Sequence, residues 1–141
     1  MDNLLDLRIP SETGAARRAR DALAGVVGEF DAYVRDSLTL LVSELVSSSV
    51  RRMGPGNEKA IAVRALAGPG VVRVEVRDSG RTIPPIVPRL RPSGWSILHD
   101  PGLAGDPGGW GLAIVNSVAD RWGIIADRGT EVWFELDVPG R

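Results

Sequence analysis

Glu44 and Ser48 are polar residues beside an apolar stripe, and their spacing gives them a possible chemical use. They stand four residues apart, so in a helix they share one side, one turn from each other. The stripe itself consists of Leu38, Leu41, Val42, Leu45 and Ser49. A carboxylate at the edge of a buried stripe is costly unless it is paired or used. A solvated glutamate at the flank of the helix is the alternative explanation.

Two further polar residues continue the inward faces of predicted strands. In the segment 71–78, alternate valines share one face and Asp78 continues it, with Gly80 two residues later. Thr130 has the same parity as the apolar residues of the segment 131–138. Both side chains are therefore expected to point toward the core. Each also suits a turn, where aspartate and threonine cap their own backbone.

A glycine-rich run, Gly108-Gly109-Trp110-Gly111-Leu112, precedes an apolar pattern typical of a helix. The free backbone amides at such a helix start form an anion site, which phosphate commonly occupies. Taken alone the signal is weak, because glycine pairs often precede helices.

The elements that must position these residues alternate between helices and hairpins. In the first half of the chain the patterns predict an edge strand at Leu4–Ile9, helices at Ala15–Val27 and Ala32–Met53, and a hairpin of Lys59–Ala67 and Val71–Asp78. An irregular segment follows at Arg81–Gly109. The patterns then predict a helix that ends at Gly123, with Leu112, Val115, Ala119 and Trp122 on one face, and closing strands at Ile124–Asp127 and Glu131–Val138. Helices that interrupt antiparallel hairpins favour a two-layer α/β sandwich over a parallel doubly wound sheet.

Composition narrows the class of protein. The 141 residues fit one domain, 1–141, with 43% hydrophobic and 25% charged residues. There is no cysteine and one histidine, His99, which argues against disulfides, thiolate metal sites and a Ser-His pair. The 17 basic and 18 acidic residues give no general attraction to nucleic acid. No apolar run approaches the roughly 18 residues of a membrane span, and no signal peptide is visible, so we expect a cytoplasmic protein.

Four motifs in order resemble the Bergerat-fold, histidine-kinase-like ATPases, and among them the anti-sigma-factor serine/threonine kinases of the stand-alone actinobacterial type. The resemblance spans about Leu7 to Val138. The motifs are the N-box at Leu41–Arg51, the first glycine box at Val74–Gly80, the second at Gly109–Val115 running on to Ala119–Gly123, and the closing strand pair at Gly129–Leu136. The resemblance implies an α+β sandwich with a mixed, mostly antiparallel sheet and helices on one face.

The same resemblance implies an ATP site. Asp78 would accept a hydrogen bond from the adenine amino group, Gly80 would let the base approach the backbone, and Thr130 would support the adenine end. Backbone amides of Gly109, Gly111 and Leu112 would bind the phosphates. Glu44 would be the general base, and the segment 81–108 would be the ATP lid.

Two positions depart from the family pattern. Ser48 replaces the N-box asparagine that holds magnesium, and a hydroxyl is a poorer ligand than an amide oxygen. Thr82 replaces the second glycine of the first box, with Pro84 and Pro85 close behind, which should stiffen the lid hinge. We therefore expect weakened magnesium binding, which hurts phosphoryl transfer more than nucleotide binding.

Four functions remain open on the sequence. The first is an ATP-binding regulator that sequesters a sigma factor and is released by a STAS-domain anti-anti-sigma partner. The second is an active serine kinase that phosphorylates such a partner. A detached histidine-kinase catalytic domain is the third, and a pseudokinase interaction module that binds no nucleotide is the fourth. The resemblance allows a homodimer, and we expect neither nucleic acid nor a membrane as a direct partner.

Overall fold

The computed structural model describes residues 1–54, 56–79, 112–126 and 129–140. Its elements in chain order are β1 (Asp2–Ser11), α1 (Ala15–Ala24), α2 (Ala32–Met53), β2 (Gly56–Gly68), β3 (Val71–Asp78), α3 (Leu112–Val118), β4 (Arg121–Ala126) and β5 (Thr130–Asp137). The predicted lid, 81–108, lies outside the described residues.

The five strands form one sheet in the order β1-β2-β3-β5-β4. The pairings among them are all antiparallel, and β1 lies at one edge, as predicted. One face of the sheet is apolar and buried, and the helices pack against it. The predicted two-layer α+β sandwich is therefore confirmed.

Helix α2 has the bounds that the sequence predicts. At its start, the Asp31 side chain accepts a hydrogen bond from the Val34 backbone amide at 2.9 Å, which caps the helix. At its end, Gly54 has a φ of 73°, which favours glycine and stops the helix. The predicted stripe is confirmed as buried: Leu38, Leu41, Val42, Leu45 and Ser49. Helix α2 thus carries both an apolar face and the polar residues next to it.

Helix α1 is shorter than predicted, since it ends at Ala24 rather than Val27. The amides of Gly25 and Val26 bond to carbonyls three residues earlier, so the chain tightens into turns there. Val27 is buried all the same and Val26 is partly buried, so the apolar pattern continues past the end of the helix.

The predicted continuation of α3 through Trp122 is wrong. The helix ends at Val118, and Trp122 lies in β4 opposite Phe134, buried in the core. Its indole Nε1 donates to the Asn116 side-chain oxygen at 3.2 Å. Strand β4 therefore begins at Arg121, three positions before the predicted start. Short apolar runs fit both helix and strand spacing, which produced the error.

The opposite face of the sheet is polar. Arg73 pairs with Glu75 at 2.9 Å and with Glu135 at 3.2 Å, and Arg121 pairs with Glu135 at 2.7 Å. The Arg73 guanidinium also stacks over the Trp133 ring, 4.3 Å from its centroid. A sheet with one apolar and one charged face buries only one side, so the core lies between the sheet and the helices.

Candidate functional site

Polar side chains are buried in the C-terminal half of α2, at the end of β3 and at the start of β5. Ser48, Ser49, Asp78 and Thr130 have relative exposures of 0%, 1%, 3% and 1%. Asp78 and Thr130 are direct partners in the register of β3 and β5. Buried polar groups are normally hydrogen-bonded or functional. This polar cluster is therefore the candidate site.

Asp78 continues the buried valine face of β3, as the sequence predicts. Its Oδ2 accepts a hydrogen bond from Nη2 of Arg52 at 2.8 Å. The two side chains are 2% and 10% exposed, so the ion pair is buried. Removing one partner of a buried pair typically costs about 3–5 kcal/mol, because the other charge remains buried. The pair therefore links the last turn of α2 to the end of β3.

Both serines of the polar cluster accept a hydrogen bond from an arginine in the last turn of α2. Arg51 donates to the Ser48 hydroxyl at 3.2 Å, and Arg52 donates to the Ser49 hydroxyl at 3.3 Å. The contact at Ser48 uses the oxygen that a metal ion would need, and it brings a positive charge there. A magnesium ion beside that guanidinium would be repelled. These contacts do not fit a magnesium site at Ser48.

The search for a metal site extends to the other residues that the structure describes. Among these residues, no group of three or more histidine or acidic side chains could hold a metal ion. The assignment of Ser48 as a metal ligand stays a prediction, and its contact with Arg51 counts against it.

The end of α2 is anchored on several sides. The Ser11 hydroxyl donates to the Gly54 carbonyl at 2.8 Å, and Lys59 Nζ donates to the Met53 carbonyl at 2.7 Å. The terminal carbonyls of a helix lack partners within the helix, so these bonds satisfy them. The turn that carries Arg51 and Arg52 is thus held against β1 and β2.

Gly129 brings the start of β5 against the end of β3. Its φ is 140°, and a Cβ on it would overlap the carbonyl oxygen of Asp78. Only glycine fits such an approach. The geometry around Asp78 and Thr130 therefore depends on this glycine, which the sequence indicated only as part of a turn.

Glu44 lies on α2, half-buried, one turn before Ser48, where the sequence places it. The neighbouring Ser43 receives a hydrogen bond from Arg20 of α1 at 2.8 Å, which fixes the two helices to each other at this level. The role of Glu44 as general base stays a prediction.

Several predicted site residues cannot be placed. Gly80, Gly109 and Gly111 lie outside the described residues, and so do their predicted contacts. Leu112 begins α3, but only its backbone is described. Of the predicted residues, the structure pairs Asp78 with Thr130 in the sheet. Ser48 and Glu44 lie on α2, one and two turns before Arg52, the residue that joins this helix to Asp78.

Arg52 is the site residue that sequence reasoning missed. It stands four residues after Ser48 on α2, so the same one-turn spacing that relates Glu44 to Ser48 could have found it. It was overlooked because arginines at a helix end are usually solvated and interact with the helix dipole.

Comparison with known proteins agrees with this architecture. The sequence model of the histidine kinase-like ATPase domain family matches residues 9–136. No curated protein matches the chain. The helices in the described part of the chain are all too short or too polar to cross a membrane. The family match covers most of the chain and includes the whole polar cluster, and such a domain implies nucleotide binding. The chain belongs to the histidine kinase-like ATPase domain family.

Proposed function

We propose that this chain is an ATP-binding regulator of the anti-sigma factor type, which sequesters a sigma factor or a related partner. The observation that carries the nucleotide part is Asp78, a carboxylate buried at the end of β3 directly opposite Thr130. Family membership supports a nucleotide as the ligand of this position. The anti-sigma role rests on the motif resemblance.

The adenine end of the site has suitable chemistry. An ionised carboxylate accepts hydrogen bonds about twice as strong as those of a neutral acceptor, and the exocyclic amine of adenine is a donor. Thr130 adds a hydroxyl that can both donate and accept. Asp78 and Thr130 would therefore recognise the base, while phosphate binding would fall to the backbone amides of Gly109, Gly111 and Leu112.

The surroundings of Ser48, the predicted magnesium ligand, favour a regulator over an enzyme. Phosphoryl transfer depends on a cation that neutralises the charge of the transferred group. The Arg51 contact leaves Ser48 poorly suited to hold that cation. Nucleotide binding needs this ligand less than the chemistry does, so we expect binding to be retained better than catalysis.

A second candidate is an active serine kinase that phosphorylates a STAS-type partner. Glu44 favours it, because a half-buried carboxylate one turn from Ser48 is costly without a use. A pseudokinase that binds proteins but no nucleotide is the third candidate. For all three, a cytoplasmic location, a homodimer, and the lack of nucleic acid or membrane partners remain expectations.

Titration calorimetry of the purified protein with ATP, with and without magnesium, tests the proposal. The regulator predicts ATP binding that changes little with magnesium. Binding that strengthens markedly with magnesium favours the kinase and leads to phosphorylation assays with candidate STAS partners. Undetectable binding in both conditions, by the unmodified protein and by the variant Arg52→Gln, contradicts the nucleotide part of the proposal and favours the pseudokinase.

A further inference from the structure

Asp78, the carboxylate expected to accept a hydrogen bond from adenine, already forms an ion pair with another residue of the chain. Nη2 of Arg52 lies 2.8 Å from Oδ2 of Asp78, and both side chains are at least nine-tenths buried. A second contact, to the Ser49 hydroxyl at 3.3 Å, supports the guanidinium in this position. Arg52 thus lies against the carboxylate from the α2 side of the polar cluster.

Arg52 is a stronger partner for Asp78 than an adenine amine would be. The guanidinium and the carboxylate are both charged, whereas the amine is neutral, and hydrogen bonds between ionised groups are the stronger ones. Burial increases the difference, since the attraction between charges grows as water is excluded. The base therefore has to compete for Asp78 with a charged group that the fold holds nearby.

Arg52 can also leave without breaking the helix. It lies in the last turn of α2, immediately before Met53 and the terminating Gly54. Its long side chain has several rotatable bonds, and a cation at this end of a helix is stabilised by the dipole in either position. Movement of one side chain would thus release Oδ2 of Asp78 from the ion pair while α2 stays in place.

We propose that Arg52 is an internal competitor for the nucleotide: its guanidinium occupies the carboxylate of Asp78, and adenine binds there only when that contact opens. This inference rests on the proposed nucleotide function. It makes Arg52 the residue that sets ATP affinity, so that ATP binding by the unmodified chain is weak. The opposite role is a positioning one, in which Arg52 orients Asp78 for the base.

The two roles predict opposite effects of removing the charge. We would measure ATP affinity by calorimetry for the unmodified protein, Arg52→Gln and Arg35→Gln. Arg35 is exposed on the same helix, so its substitution matches the change in charge. A competitor predicts an affinity gain of about tenfold or more for Arg52→Gln, as expected when a charged pair no longer opposes binding. Arg35→Gln should leave the affinity unchanged, and adding Asp78→Asn to Arg52→Gln should remove the gain.

Failure of the inference differs from failure of the proposed function. If the unmodified protein binds ATP and Arg52→Gln binds equally or less tightly, Arg52 is not a competitor, while nucleotide binding stands. If neither protein binds ATP, the nucleotide proposal is wrong, and the inference falls with it.

A second measurement covers the case in which Arg52→Gln does not fold. The Nε–H resonance of Arg52 can be followed by NMR in the unmodified protein, with Arg52→Lys used only to assign it. Saturation with ATP should shift this resonance and speed its exchange with water, because the guanidinium leaves its buried partner. A resonance that keeps its position and exchange rate at saturation would overturn the inference.

Discussion

Gly129 and Asp78 approach so closely that a single methyl group at position 129 would overlap the carbonyl oxygen of Asp78. The contact joins the backbone of the turn before β5 to the last residue of β3. Neither segment can shift alone, since Asp78 and Thr130 are also paired in the sheet. The position of the Asp78 carboxylate is therefore determined by backbone packing as well as by Arg52.

Gly129→Ala should destabilise the protein strongly. The new Cβ meets backbone rather than a movable side chain, and the φ of 140° is unfavourable for alanine. We expect a loss of about 2 kcal/mol or more in the free energy of unfolding, as for other substitutions that impose backbone strain. Urea unfolding followed by circular dichroism measures it.

Gly14→Ala is the matched control, because a Cβ there meets nothing within 4 Å. Its effect should stay within about 0.5 kcal/mol, as for surface substitutions in general. Equal losses in both variants would mean that the close approach at Gly129 is not what makes its substitution costly.

Ser48→Asn should make ATP binding more dependent on magnesium. The amide oxygen extends further than the hydroxyl and is a better ligand for the ion, so it can bind the ion despite Arg51. We expect calorimetry to show tighter ATP binding with magnesium than without, and phosphotransfer to rise if a partner is supplied. A Ser48→Asn variant whose ATP affinity and phosphotransfer activity match those of the unmodified protein would refute the proposal that Ser48 weakens magnesium binding.

Glu131→Gln should change stability in a pH-dependent way. Burial, together with the charge of Glu75, raises the pKa of Glu131 in the folded protein. The folded state therefore binds a proton more readily than the unfolded state, and this group favours folding below its ordinary pKa and loses that contribution as the pH rises. Glutamine does not ionise, so the variant loses no stability in this way. The difference in melting temperature, variant minus unmodified protein, should therefore increase from pH 4 to pH 7. A difference that stays constant over this range would contradict the assignment.

Much of the fold could be predicted from sequence because the signals were local. The alternating valines of β3 and the apolar stripe of α2 are such signals, and both elements have the predicted bounds. Trp122 was assigned to the helix because it follows Val115 by seven positions and Ala119 by three, spacings that fit a helix. The pairing with Phe134 that places it in β4 is a long-range contact.

The site was predictable one side chain at a time. Strand parity and helix spacing indicated that Ser48, Asp78 and Thr130 point inward, and all three are buried. The partner of Asp78 could not be read in this way, since Arg52 is 26 positions away on another layer of the sandwich. Which charged groups meet across layers depends on packing that no local pattern records.

The central claim is that the Asp78 carboxylate binds the base of ATP, and calorimetry with Asp78→Asn tests it most directly. Asp36→Asn, an exposed substitution on α2, is the control for the change in charge, and circular dichroism verifies that each variant is folded. The comparison is made in the Arg52→Gln protein, where no guanidinium competes for position 78. There the account predicts that Asp78→Asn lowers ATP affinity at least about tenfold, because a charged acceptor becomes neutral, while Asp36→Asn has no effect. A folded Arg52→Gln/Asp78→Asn variant that binds ATP as tightly as Arg52→Gln would show that the nucleotide binds elsewhere.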